Sequence, residues 1–241
     1  MQDASTTAQD QRRRTITIIQ IVLALCAVCA FGYLGFKAFG YVQAQGSYDQ
    51  MRAKYEQGDT ILFGQLTADY PEAVAWIKAD ALPTIDYPIM HANNNDFYLT
   101  NDPAGNRAVG GSIFLDYRNK SVTEDMHAIV YGHNMLDGSM FGTLTEYQNE
   151  EFYKANGGKF TIYTPSGNHQ YQIFAVNIVD PSSDVFMVGF TNKDVFSAFV
   201  NNLKNQSMYD TGVSVEDATQ VVTLSTCSNE NRLVVSAKRL S

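Results

Sequence analysis

Residues 220–237 read Gln220-Val221-Val222-Thr223-Leu224-Ser225-Thr226-Cys227, then Ser228-Asn229-Glu230-Asn231, then Arg232-Leu233-Val234-Val235-Ser236-Ala237. Two runs rich in Val, Thr and Leu around a short polar link spell an antiparallel hairpin. Cys227 ends the first strand and Arg232 opens the second. Neighbouring strands lie about 4.8 Å apart, so both side chains reach one mouth of the sheet if they share a face. Alternation groups Val221, Thr223, Ser225 and Cys227 on one face, while the register across the turn stays open at this level.

Similar runs precede the hairpin at 84–90, 111–116, 126–131, 159–164 and 171–180, with Gly, Asn, Asp or Pro between them. The pattern predicts a mainly β domain over 59–241, a barrel or a sandwich. Peripheral helices interrupt it. Val195, Phe196, Phe199, Val200 and Leu203 recur at spacings of three and four within 192–205. Pro71, Trp76 and Ile77 suggest a further short helix over 70–77.

Upstream of the domain, residues 15–36 form 22 consecutive uncharged positions. As a helix they span roughly 33 Å, enough to cross a hydrocarbon core of about 30 Å. Arg12, Arg13 and Arg14 precede the segment and Lys37 follows it. The positive-inside bias then keeps 1–14 in the cytoplasm and places the body outside, with 37–58 as a polar helical stalk. A cleaved signal peptide fits less well, because small residues appear late, after Tyr41. A lipoprotein site is disfavoured by the bulky Leu25 before Cys26. Cys26 and Cys29 read as apolar fillers of the membrane helix.

The chain carries 17 Lys and Arg against 25 Asp and Glu, a net charge of −8. Three arginines and two aspartates lie in the first 36 residues, which leaves −9 for the remainder. An acidic body argues against nucleic-acid binding. The run 93–102 lacks the ligand spacing of a calcium loop, and no glycine-rich loop opens a helix, so no metal or cofactor is expected.

Cys227 is the sole thiol of the body. A cysteine becomes a nucleophile when an imidazole or a cation favours its thiolate. Of the four histidines, His91 and His169 lie in turns and His127 begins a strand. His133 follows Ala128-Ile129-Val130-Tyr131-Gly132, so a buried strand delivers it to a sheet end. Cys227, His133 and Arg232 would suit acyl transfer, with Arg232 donating to a developing oxyanion. The plainer alternative is a buried apolar cysteine beside unrelated surface charges. Asp116 and Asp137 are candidates to orient His133, with nothing in the sequence fixing their distance.

Tyr131-Gly132-His133-Asn134-Met135 resembles the histidine motif of sortases. Thr223-Leu224-Ser225-Thr226-Cys227 followed by Arg232-Leu233-Val234-Val235 resembles their T-L-x-T-C and arginine-strand signature, closest to class B. Trp76-Ile77 and Ile85-Asp86-Tyr87-Pro88-Ile89 look like the family's first strands. Gly111-Ser112-Ile113-Phe114-Leu115-Asp116 looks like the segment leading to its third. The resemblance spans roughly 50–240, and the helix at 192–205 is similar to the one by which class B differs from class A.

The resemblance implies an eight-stranded barrel on a membrane-anchored cysteine transpeptidase of a Gram-positive bacterium. Its partners would be secreted proteins with a C-terminal sorting signal, an NPxT-type motif being favoured, and a peptidoglycan precursor amine as acceptor. Ser225, Thr226 and Asn134 are substrate-contact candidates. Ser228 stands where class B often has an acidic residue, and the connection to Arg232 is short. A cysteine peptidase and a membrane-tethered binding domain remain as alternatives. The S-x-G-C pattern of L,D-transpeptidases is missing around Cys227.

Overall fold

The hairpin at the end of the chain is present, and its ladder supplies the register that the sequence leaves open. Strands β9 (Val221–Ser228) and β10 (Asn231–Arg239) pair antiparallel, with Cys227 opposite Arg232 and Ser228 opposite Asn231. Pairing therefore continues one rung beyond Cys227 and Arg232. Residues opposed in such a ladder share a face.

The structure, a computed structural model, describes the backbone of residues 2–228 and 230–240. Side chains are described there except at 2–16, 18, 34, 36–45, 227 and 228. Cα packing divides the chain into two units, residues 1–43 and 44–241. The first is helical, part of α1 (Gln2–Tyr55). Among the described residues no helix is long and apolar enough to cross a membrane. Of the stretch 15–36, the side chains at 15, 16, 18, 34 and 36 lie outside the described residues.

The second unit holds the end of α1, whose Tyr48, Met51 and Tyr55 are buried. A small ladder of β1 (Glu56–Gln57) and β2 (Thr60–Ile61) follows, then α2 (Phe63–Asp69). The barrel strands come next: β3 (Ala73–Ala79), β4 (Leu82–Met90), β5 (Ile113–Leu115) and β6 (His127–Tyr131). β7 (Lys159–Thr164) and β8 (Gly167–Val179) precede β9 and β10. Eight strands close in the order β10-β8-β7-β3-β4-β5-β6-β9. Among the described residues only the β4–β5 and β6–β9 pairs are parallel. Short helices α3 (Phe97–Thr100) and α4 (Glu150–Asn156) lie in connections.

The short helix expected over 70–77 is instead strand β3. Ala73, Ala75, Trp76, Ile77 and Ala79 are all buried between β4 and β7, and Trp76 Nε1 donates to Asp86 Oδ1 at 2.6 Å. Two ladders and a buried indole outweigh the helical preference of Ala73 and Ala75. The second expected helix forms as α5 (Lys193–Asn205). Asn192 caps it through the amides of Asp194 and Val195. Phe196, Val200 and Leu203 pack on Phe174, Val221 and Val234, which places α5 over the outer face of β8, β9 and β10.

Candidate active site

The parallel pairing of β6 with β9 sets the site. Tyr131 lies opposite Ser225, and the Gly132 amide donates to the Ser225 carbonyl at 3.1 Å. His133 therefore leaves β6 where β9 approaches Cys227. A Cβ on Gly132 would fall 2.4 Å from Ile113 Cδ1 and 2.7 Å from Phe141, so only glycine fits this crossing. The Phe141 amide donates to the His133 carbonyl at 3.0 Å and fixes the backbone there.

A cleft of about 150 Å3 opens at this end of the barrel. His133, Arg232, Ser225 and Thr226 line it, together with Tyr131, Leu99 and Asn95. Two of the three expected catalytic side chains thus share one cavity. Cys227 keeps its backbone place on β9 opposite Arg232, and its thiol lies outside the described residues. Asn134 bridges to Met140 on the exposed connection just past His133.

His133 Nε2 lies 2.7 Å from the Leu99 carbonyl oxygen. A carbonyl only accepts, so Nε2 carries the proton and Nδ1 keeps its lone pair in the neutral ring. Neither candidate aspartate makes this contact. Asp137 accepts from the Ser139 amide and hydroxyl. Asp116 is fully buried and accepts from Arg118 Nε and Nη2, Asn95 Nδ2 and the Tyr131 hydroxyl. Burial pushes its carboxyl up, but the Arg118 guanidinium and the other donors outweigh that and hold it below the ordinary value. Asp116 thereby ties together Asn95 and Tyr131, two walls of the cleft.

The hydroxyls of Ser225 and Thr226 are buried and have no hydrogen-bond partner among the described residues. Buried polar atoms are normally satisfied, and both orphans belong to residues that line the cleft, on opposite faces of β9 because they are successive in the strand. His127 contrasts with His133. It is buried with both ring nitrogens engaged, and burial pushes its pKa down to about 4.

The sequence pointed to His133, Arg232, Ser225 and Thr226 but missed Leu99, Asn95 and Tyr131. Tyr131 carried a signal, standing immediately before Gly132-His133. Leu99 acts through its carbonyl, which no residue type encodes.

A family model described as the sortase domain matches residues 77–240. The chain belongs to the sortase family. Sortases are cysteine transpeptidases, and the relatives found are class B. Sortase B of Listeria monocytogenes is 36% identical over 161 residues, 64% of each chain. Sortase B of Staphylococcus aureus is 27% identical over 94% of this chain and 97% of its own. The crystal structure of Bacillus anthracis sortase B in complex with AAEK1 superposes with a TM-score of 0.74 at 31% identity. It covers 84% of this chain and 99% of that one.

Proposed function

We propose that this sortase is a membrane-anchored transpeptidase of class B type that cleaves an NPxT-type sorting motif in secreted proteins and joins them to a cell-wall amine. The observation that carries the reading is the juxtaposition at one barrel end. The β9–β10 register opposes Cys227 to Arg232, and the adjoining cleft is lined by Arg232, His133, Ser225 and Thr226, the last two with hydroxyls that have no partner among the described residues.

In this mechanism the Cys227 sulfur attacks the carbonyl carbon of the motif threonine. Arg232 donates to the oxygen as it gains negative charge. His133 Nδ1 takes the Cys227 thiol proton as the sulfur attacks. It passes that proton to the departing amine as the carbon–nitrogen bond after threonine breaks, and a thioester remains on Cys227. The acceptor amine then attacks the thioester, His133 takes its proton, and a new amide leaves the thiol free. The tautomer held by Leu99 makes Nδ1 the atom that moves the proton. Ser225 and Thr226 contact the motif, with Asn134 at its edge.

The anchor is residues 15–36, with 1–14 in the cytoplasm, 37–58 as the stalk and 59–241 outside. Its support is the uncharged run and the exposure of Leu23, Leu25, Val28 and Phe31, each more than half accessible. Protease protection of 1–14, with cleavage of the body, in sealed protoplasts checks the topology.

Mass spectrometry of the chain mixed with NPxT or LPxTG peptides and candidate amines tests the chemistry. A thioacyl adduct on Cys227 and a peptide–amine product that forms faster from NPxT support the proposal. Hydrolysis that added amine leaves unchanged identifies a peptidase instead. The absence of any adduct with folding intact removes the enzymatic reading.

A further inference from the structure

We infer that Tyr48, on the last turns of α1, is a positioning residue for His133. The inference rests on the reading of His133 as the proton carrier, and two independent routes through the barrel wall support it.

The first route reaches the imidazole. The Tyr48 hydroxyl is buried, donates to the Gly111 carbonyl at 2.9 Å and lies 3.3 Å from Ser112 Oγ. Ser112 clasps α3 from both sides of Leu99. Its amide donates to the Tyr98 carbonyl at 2.9 Å and its hydroxyl to the Asn101 carbonyl at 2.9 Å. Between those two anchored carbonyls lies that of Leu99, the acceptor for His133 Nε2. Gly111 presses on the same turn with φ +53°. A Cβ there would fall 2.3 Å from the Tyr98 oxygen and 2.7 Å from the Leu99 oxygen. The approach is therefore built for glycine.

The second route reaches the backbone of His133. The Tyr48 ring meets Tyr87 edge to face at 5.1 Å, and the Tyr87 hydroxyl accepts from the Met140 amide at 3.1 Å. Met140 sits at φ +52° beside Phe141, whose amide holds the His133 carbonyl. One tyrosine thus braces both the loop that carries the histidine and the carbonyl that sets its tautomer. A hydrogen bond to the imidazole that is held at the right place is pre-organisation, and its loss lowers the rate of the proton-transfer step without removing substrate contacts.

The test is Tyr48→Phe in the full-length chain in detergent, which keeps the ring and removes the hydroxyl. Turnover of the transpeptidase peptide should fall about fivefold in kcat with KM within about twofold, the scale of one weakened hydrogen bond. The histidine 15N signal that disappears in His133→Gln identifies His133 and reports its Nε2–H tautomer. In Tyr48→Phe that signal should move toward a mixture of tautomers. Tyr48→Ala, which also removes the ring, should enlarge both effects, with circular dichroism confirming the fold. An unchanged kcat together with an unmoved His133 signal in folded Tyr48→Phe overturns the inference. Transfer that survives His133→Ala would overturn the catalytic reading of His133 instead, and the nitrogen signal then judges the brace by itself.

Discussion

Strands β6 and β9 run side by side from a finished end to an unfinished one. At the first end, His127 Nδ1 donates to the Met187 carbonyl at 2.6 Å. Its Nε2 accepts from Thr223, whose oxygen also pairs with Ser236 at 2.9 Å. At the second end, His133 has one ring nitrogen engaged by Leu99, and Ser225 and Thr226 are as buried as Thr223 yet without a partner among the described residues. Residue types and strands are the same at both ends. What differs is whether the chain itself closes each hydrogen bond. Where it does, the histidine is scaffolding; where it leaves bonds open beside a cleft, we propose that the missing partner is the peptide.

The largest effects should fall on the open end. Cys227→Ala and His133→Ala should each lower acyl transfer by about a thousandfold or more while the thermal unfolding midpoint stays within a few degrees. His127→Ala should do the reverse, lowering stability while folded molecules keep their chemistry. Peptide–amine product measured beside thermal melts separates the two. A His127 variant that folds normally and loses transfer would break the comparison. Arg232→Lys comes next, with a loss of about a hundredfold in kcat, because an ammonium lacks the planar fork that points several donors at one oxyanion.

The closed end can be titrated. A histidine whose folded pKa of about 4 lies below the ordinary 6.5 binds fewer protons folded than unfolded. Its contribution is therefore intact above pH 6.5 and declines as pH falls to about 4. The decline amounts to about 3 kcal/mol. Urea melts at several pH values should show that slope in the wild type and lose it in His127→Gln. Asp116 acts lower. Its carboxyl is held below the ordinary 3.8, so its contribution is present above that value and is lost as pH falls further.

The same contrast explains what the sequence made legible. Alternation and turn residues carry the β9–β10 hairpin, and the residue types and motif single out Arg232, Ser225 and Thr226, which the structure places in the wall of one cleft. The link is shorter by one rung than its four polar residues suggest, because Ser228 and Asn231 pair although neither is a strand former. β3 carries a local helix signal, since Ala and Pro near a tryptophan favour a helix until two neighbouring strands supply the other partners. The Leu99 carbonyl left no trace at all. The contact joins residues 34 positions apart through a backbone atom, and only closure of the barrel brings them together.

The smallest effect gives the most discriminating prediction. Thr223→Val removes a hydroxyl that two partners use, leaving His127 Nε2 and Ser236 Oγ buried without it, and should cost about 1–3 kcal/mol. Ser225→Ala and Thr226→Val remove hydroxyls that no described residue uses, so each should leave stability within about 0.5 kcal/mol or raise it slightly. Their cost should appear only with peptide present, as a KM raised about fivefold, the equivalent of one hydrogen bond to substrate. Melts and peptide kinetics on the three variants therefore need to cross over. If Ser225→Ala destabilises the chain as much as Thr223→Val does, its hydroxyl serves the fold after all, and the two ends of the strand pair are alike.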